Sequence, residues 1–132
     1  MEGTFVGFAD VTSCHTQNLA SDAWMIYSPT GQLVVSSGAS LGPATNNVVE
    51  YNAVIELLHD VILNGLLYLE VFLDSQLVVM QLNCEYRVRN PTILRYFLRV
   101  RLLERKFVYI IYEHILRNQN VTVHAYANYV LD

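Results

Sequence analysis

Three carboxylates in this chain have the surroundings that chemistry requires: Asp10, Glu50 and Asp74. Asp74 ends the apolar run Leu69-Glu70-Val71-Phe72-Leu73, and Ser75 opens a second run, Gln76-Leu77-Val78-Val79. This predicts a buried strand delivering Asp74 at its C-terminal edge, followed by a helix starting at Asp74 or Ser75. Ligand chemistry in open α/β sheets collects at that edge, although an acid there also serves simply as a helix N-cap. Asp10 closes an alternating segment, Thr4 to Asp10 (TFVGFAD). Glu50 precedes Val54, Leu57 and Val61 by four, seven and eleven residues, which puts it on the apolar stripe of a helix, whereas Glu56 lies off it. A carboxylate on a buried stripe needs a partner, because unpaired burial costs several kcal/mol or forces protonation. Two acids at neighbouring strand ends under a third on a covering helix make a site for hard divalent ions. Paired Mg²⁺ ions about 3.5–4 Å apart catalyse phosphodiester hydrolysis.

The elements that must position these acids read β-β-β-α-β-α-α-β-α. Thr4 to Asp10 is the first strand, and the small polar residues Val11 to Ser21 read as a loop. Ala23 to Tyr27 and Gln32 to Ser36 flank the turn Ser28-Pro29-Thr30-Gly31. Ser37 to Thr45 reads as a Gly/Ser/Pro loop, and a helix capped by Thr45 or Asn46 runs to about Asn64, with Gly65 as its stop. Leu66 to Leu73 is the fourth strand and Ser75 to Asn83 a helix; Cys84 to Pro91 connects it to a helix reaching Lys106. Apolar residues on that last helix cover more than one face, which predicts deep burial or packing on both the core and a partner. Phe107 to Ile115 is the fifth strand, and Asn118-Gln119-Asn120 leads into a short final helix.

At 132 residues the chain is long enough for one domain with a core that needs no disulfides or structural metal. It is apolar, with 53% hydrophobic and 15% charged residues, yet no uninterrupted apolar run reaches the roughly 18 residues of a membrane span. The segment MEGTFVGFAD has neither a basic nor an apolar export region, and Cys14 and Cys84 lack metal-ligand spacing. The expectation is a reduced intracellular protein, cytoplasmic or nuclear, away from membranes. The net charge of −4 conceals an asymmetry: residues 1–86 hold nine acids and no Lys or Arg. All eight cations fall between Arg87 and Arg117 and, against Glu104 and Glu113, give that segment +6. Such a stripe either faces phosphates or pairs with the acidic part of the chain.

In order and combination, five segments resemble type 1 ribonuclease H over essentially the whole length. They are Phe8-Ala9-Asp10, Asn46-Asn47-Val48-Val49-Glu50-Tyr51-Asn52-Ala53, Leu73-Asp74-Ser75-Gln76-Leu77-Val78, Glu85-Tyr86-Arg87-Val88-Arg89-Asn90-Pro91 and His114-Ile115-Leu116-Arg117-Asn118-Gln119-Asn120. The variant resembled is the compact one of plant retroelement-like and archaeal proteins. The resemblance implies an α/β fold, a mixed five-stranded sheet flanked by helices, and metal-dependent cleavage of RNA within RNA/DNA hybrids. It implies that Asp10, Glu50 and Asp74 bind two Mg²⁺ or Mn²⁺ ions, and that His114 shuttles a proton. Asn46, Asn47 and Gln76 would contact the hybrid, with Arg117 in the same loop as His114. Arg87, Arg89 and the helix after them would touch phosphates of the DNA strand.

Three positions depart from the family pattern. His124 occupies the place of the fourth acid, Val11 that of a glycine after the first Asp, and Ser21-Asp22-Ala23-Trp24 a glycine-rich strand start. A neutral imidazole ligates Mn²⁺ or Zn²⁺ but is a poor ligand for Mg²⁺. Two readings follow: a hybrid-cutting nuclease, with His124 in the catalytic and metal set, or a catalytically inactive fold that binds nucleic acid or protein. In the second, the broadly apolar helix over Thr92–Lys106 offers a homodimer surface.

Overall fold

A computed structural model describes residues 3–14, 19–41 and 46–116, with the backbone alone for 10–14, 19, 20, 39–41 and 46. Five strands, β1 (Phe5–Cys14), β2 (Leu19–Tyr27), β3 (Leu33–Leu41), β4 (Tyr68–Leu73) and β5 (Tyr109–His114), form one sheet in the order β3-β2-β1-β4-β5. β1, β2 and β3 form an antiparallel meander, while β4 runs parallel to both β1 and β5. The expected mixed five-stranded sheet is therefore present. The expected final helix lies outside the described residues, as do Arg117 and His124.

The described parts of two expected loops are strand. β1 runs four residues beyond Asp10, and its pairing with β2 extends from Val6↔Tyr27 through Asp10↔Ala23 to Cys14↔Leu19. β3 likewise continues through the Gly/Ser segment to Leu41, paired with Ala20. Small polar residues show no hydrophobic alternation, but their backbone groups still need partners, and an adjacent strand supplies them. Asp10 therefore lies within β1 rather than at its end.

The first helix, α1 (Asn46–Leu63), crosses the sheet over β1 and β2. Its stripe of Val54, Leu57, Leu58 and Val61 is buried with Ala9, Trp24, Ile26, Leu69, Val71 and Leu73. Burying each such side chain contributes about 1.5–3 kcal/mol. Gly65 stops the helix at φ +69, with its N–H on the Ile62 carbonyl (3.0 Å) and that of Leu66 on the Val61 carbonyl (3.0 Å). This paired arrangement satisfies carbonyls that the helix end would otherwise orphan.

Gly7 lets α1 lie close to the sheet: a Cβ there would stand 3.1 Å from both Leu57 methyl carbons. Gly7→Val is expected to lift α1 off β1, with a loss of about 1–3 kcal/mol. Chemical denaturation should show the lower midpoint, with Leu57→Ala restoring part of it.

Two shorter helices follow, α2 (Gln76–Leu82) and α3 (Pro91–Glu104). Cys84, just after α2, takes φ +62 while its N–H bonds the Gln81 carbonyl (3.1 Å) and that of Glu85 the Met80 carbonyl (2.8 Å). A Cβ in left-handed backbone costs about 1–2 kcal/mol. Cys84→Gly is therefore expected to stabilise the fold by about 0.5–1 kcal/mol, read as a raised melting temperature. Asn90 caps α3, accepting from the N–H groups of Thr92 (2.9 Å) and Ile93 (3.1 Å). On α3 Ile93 and Val100 are buried, but Leu94, Leu98 and Leu102 are exposed, so the deep burial expected of this helix is not found. No helix of the described residues is long and apolar enough to cross a membrane.

Candidate active site at the strand edge

The parallel strands bring three of the expected residues to one edge. Ala9 on β1 pairs with Leu73 on β4, and Leu73 pairs with His114 on β5. Asp10 and Asp74 each follow a member of that row, so their backbones are neighbours at the C-terminal side of adjacent strands. The Ile115 N–H donates to the Leu73 carbonyl at 3.0 Å, holding β5 in place beyond its last strand residue. His114 is that last residue and is exposed, at the end of the segment read from the sequence as the fifth strand.

Asp74 lies between β4 and α2, and the structure separates its two readings. Ser75 is the N-cap of α2; its hydroxyl accepts the Val78 N–H at 3.4 Å. Capping therefore does not account for Asp74. Its Oδ2 is shut off from solvent and has no hydrogen-bond partner among the described residues. A carboxylate oxygen held that way is costly unless something else satisfies it.

Glu50 is 2% exposed, in the early turns of α1, as its place on the stripe predicted. Several side chains fix this part of the helix. The Asn52 amide donates to the Asp22 carboxylate on β2 at 2.9 Å, and the Trp24 indole N–H donates to Asp60. The Tyr51 hydroxyl donates to Gln81 Oε1 on α2 at 2.8 Å, tying α1 to the helix that follows Asp74. Burial pushes the Tyr51 phenol well above its usual range, so it stays a donor. The helix that carries Glu50 is thus bound to the sheet and to the Asp74 segment by separate polar links.

Asp22 was not among the residues singled out from the sequence. It is fully buried, and its register partner Val11 directly follows Asp10. Its signal was the two-residue spacing to Trp24 and Ile26, which places all three on the face toward α1. In the sequence it falls between the loop of residues 11–21 and the strand from Ala23, and only within a segment that departs from the family pattern.

Around these acids, Asn47 is half-buried at the second position of α1 and Gln76 is exposed at the first position of α2. Asn46 starts α1. Arg87 and Arg89 are exposed in the α2–α3 connector. Arg87 also lines an open depression of about 500 Å³ with Gln81, Cys84, Tyr86, Val88, Leu94 and Phe97. Of the basic stripe, Arg101 alone pairs with an acid among the described residues, Glu104 at 2.6 Å, whose Oε2 also accepts the Tyr112 hydroxyl at 2.6 Å.

The acids present would suit a hard divalent ion, being oxygen donors, and the buried Oδ2 of Asp74 lacks a hydrogen bond among the described residues. Among the described residues no three His, Cys, Asp or Glu side chains form a metal cluster. Of the expected trio, Glu50 and Asp74 are described in full and Asp10 by its backbone.

Residues 8–130 match the family described as reverse transcriptase-like. A bifunctional protein of Mycobacterium tuberculosis is 33% identical over 100 residues, 76% of this chain and 28% of that protein. Ribonuclease HI of Halobacterium salinarum is 34% identical over 113 residues, 86% of this chain and 57% of that protein. The chain thus spans between about a quarter and three fifths of these relatives. The crystal structure of RNase H1 from H. salinarum superposes with a TM-score of 0.92 at 32% identity, covering 98% of each chain. LC11-RNase H1, solved in complex with an RNA/DNA hybrid, gives 0.88 at 28% identity, covering 95% of this chain and 94% of that one. Sequence match and superposition agree: the chain belongs to the reverse transcriptase-like family and has the ribonuclease H fold.

Proposed function

We propose that this domain cleaves the RNA strand of RNA/DNA hybrids with divalent metal ions held by Asp10, Glu50 and Asp74. The observation that carries the reading is Asp74: a buried carboxylate oxygen without a hydrogen bond among the described residues, its backbone beside that of Asp10 at the sheet edge, and not needed as a cap. The hybrid bound by LC11-RNase H1 supports the substrate class. Two ions in such a site supply an activated water and stabilise the leaving 3′ oxygen. In this reading His114 moves the proton on and off the reacting oxygens from its exposed strand end. Asn46, Asn47 and Gln76 orient the hybrid from the starts of α1 and α2. Arg87, Arg89 and Arg117 meet its phosphates. His124 completes the metal set and, as an imidazole, favours Mn²⁺ over Mg²⁺.

The test is a panel of one sequence as hybrid, single-stranded RNA, duplex RNA and duplex DNA, each strand labelled in turn. Cutting confined to the RNA of the hybrid supports the proposal; indiscriminate cutting contradicts it. Binding to the hybrid should fall steeply with salt, and Arg87→Glu with Arg89→Glu should reduce the slope of log K against log salt by about 2.

His124 and Val11 favour a second reading, in which the domain binds the hybrid without cutting it. Salt-sensitive binding without cleavage in either metal selects that reading. His124→Asp with Val11→Gly should then restore cutting in Mg²⁺ if those two departures silenced the site.

A further inference from the structure

We propose that the exposed face of α3 is a docking surface for an acidic amphipathic helix of a partner protein. Leu94, Leu98 and Leu102 are 38%, 51% and 60% exposed and recur every fourth residue, forming one ridge along the helix. The ridge is about 12 Å long at 1.5 Å per residue. These leucines are not needed by the core. Ile93 and Val100 are buried on the other side of α3, and Tyr96, Phe97 and Leu103 pack partly against the same core. The ridge also continues into a cavity: Leu94 forms a wall of the 500 Å³ depression together with Phe97, Val88 and Tyr86, and the opposed charges of Glu85 and Arg87 line it too. A ridge with an apolar recess at one end suits a helix that lays down leucines at i, i+4 and i+7 and inserts one larger side chain.

Charge identifies the occupant. Arg95, Arg99, Arg105 and Lys106 are exposed beside or within the ridge, and none makes an ion pair among the described residues. The helix's own acid, Glu104, is engaged by Arg101 and Tyr112. An apolar strip edged by cations complements an apolar strip edged by carboxylates. A second copy fits poorly, because an antiparallel two-fold pairing would set Arg95, Arg99 and Lys106 against the same residues of the other copy. Nucleic acid fits poorly too: phosphates reward cations, but exposed leucines between those cations gain nothing from a polyanion. The phosphate contacts expected along the whole basic segment then fall to Arg87, Arg89 and Arg117, and α3 is assigned to a protein.

The probe is a fluorescent helical peptide of about 20 residues with leucines at i, i+4 and i+7 and glutamates over the rest of its surface. Its controls replace every glutamate by lysine or scramble the order. Anisotropy is measured with the intact chain, with Leu98→Asp plus Leu102→Asp, and with Arg95→Glu plus Arg99→Glu, each checked for folding by thermal melting. The acidic peptide should bind in the micromolar range, weaken at least about tenfold with the leucine variant, and lose to the lysine peptide with the arginine variant. The proposal is overturned by no binding of the acidic peptide, by equal binding of the scrambled one, or by variants that change nothing. It is also overturned if light scattering finds a dimer that the leucine variant dissolves, or if that variant abolishes hybrid binding, since the occupant is then a second copy or nucleic acid. Hybrid cleavage by the leucine variant should equal that of the intact chain.

Discussion

Asp74→Asn should lower the rate of hybrid cleavage about a thousandfold while leaving the fold intact. A metal ligand supplies several kcal/mol of transition-state stabilisation, and each 1.36 kcal/mol is tenfold in rate. The substitution keeps the shape and one carbonyl oxygen but removes the charge. It should not act through unfolding. Ser75, not Asp74, caps α2, and the buried Oδ2 makes no hydrogen bond among the described residues that the change would break. The melting temperature in a chelator should stay within about 2 °C of the parent, since a shift that small is under 1 kcal/mol for a domain of this size. Ser75→Ala gives the opposite signature: it removes the cap and about 1 kcal/mol of stability, with cleavage largely retained below the melting temperature. Kinetics and melting of the two variants side by side separate the roles of adjacent residues. Equal activity of Asp74→Asn and its parent would remove Asp74 from the site.

The second large effect is on stability and needs no turnover. Clustered carboxylates repel and are poorly solvated, so an ion that binds only the folded chain stabilises it by mass action. At ten times the dissociation constant the gain is about 1.4 kcal/mol. That corresponds to a rise of about 3–5 °C in melting temperature. Mn²⁺ should give the larger rise at equal concentration if His124 belongs to the set, and Asp74→Asn should abolish the rise with either ion. A rise of equal size in that variant would place ion binding elsewhere on the chain. Because it is read by melting, this outcome holds whether or not the domain cuts.

How much of this was legible without coordinates varies from element to element, for physical reasons. α1 was readable because its apolar period is long and a glycine with positive φ ends it, and Glu50 followed from the same period. β4 and the edge position of Asp74 were readable from an apolar run ending on an acid. The reach of β1 and β2 was not, since residues 11–14 and 19–21 show no hydrophobic alternation in sequence, and the strands there pair through their backbones. Asp22, fully buried and bonded to Asn52, was legible only as part of a departure from the family pattern, since a lone acid at a strand start does not show its burial. The choice between cap and ligand at Asp74–Ser75 could not be made from residue types, because both accept hydrogen bonds at a helix start. One bond, from the Val78 N–H to Ser75, assigns the cap to Ser75. α3 had two possible readings, and the exposures of Leu94, Leu98 and Leu102 are at odds with deep burial.

The central claim is that Asp10, Glu50 and Asp74 still work together on a hybrid. It is tested most directly by single-turnover cleavage of a labelled RNA strand paired with DNA, by the intact chain and by Asp10→Asn, first in Mg²⁺ and then in Mn²⁺. The account predicts cutting of the RNA strand, faster in Mn²⁺, that disappears with Asp10→Asn although the variant melts normally. No cutting in either ion, or cutting that survives Asp10→Asn, would contradict it.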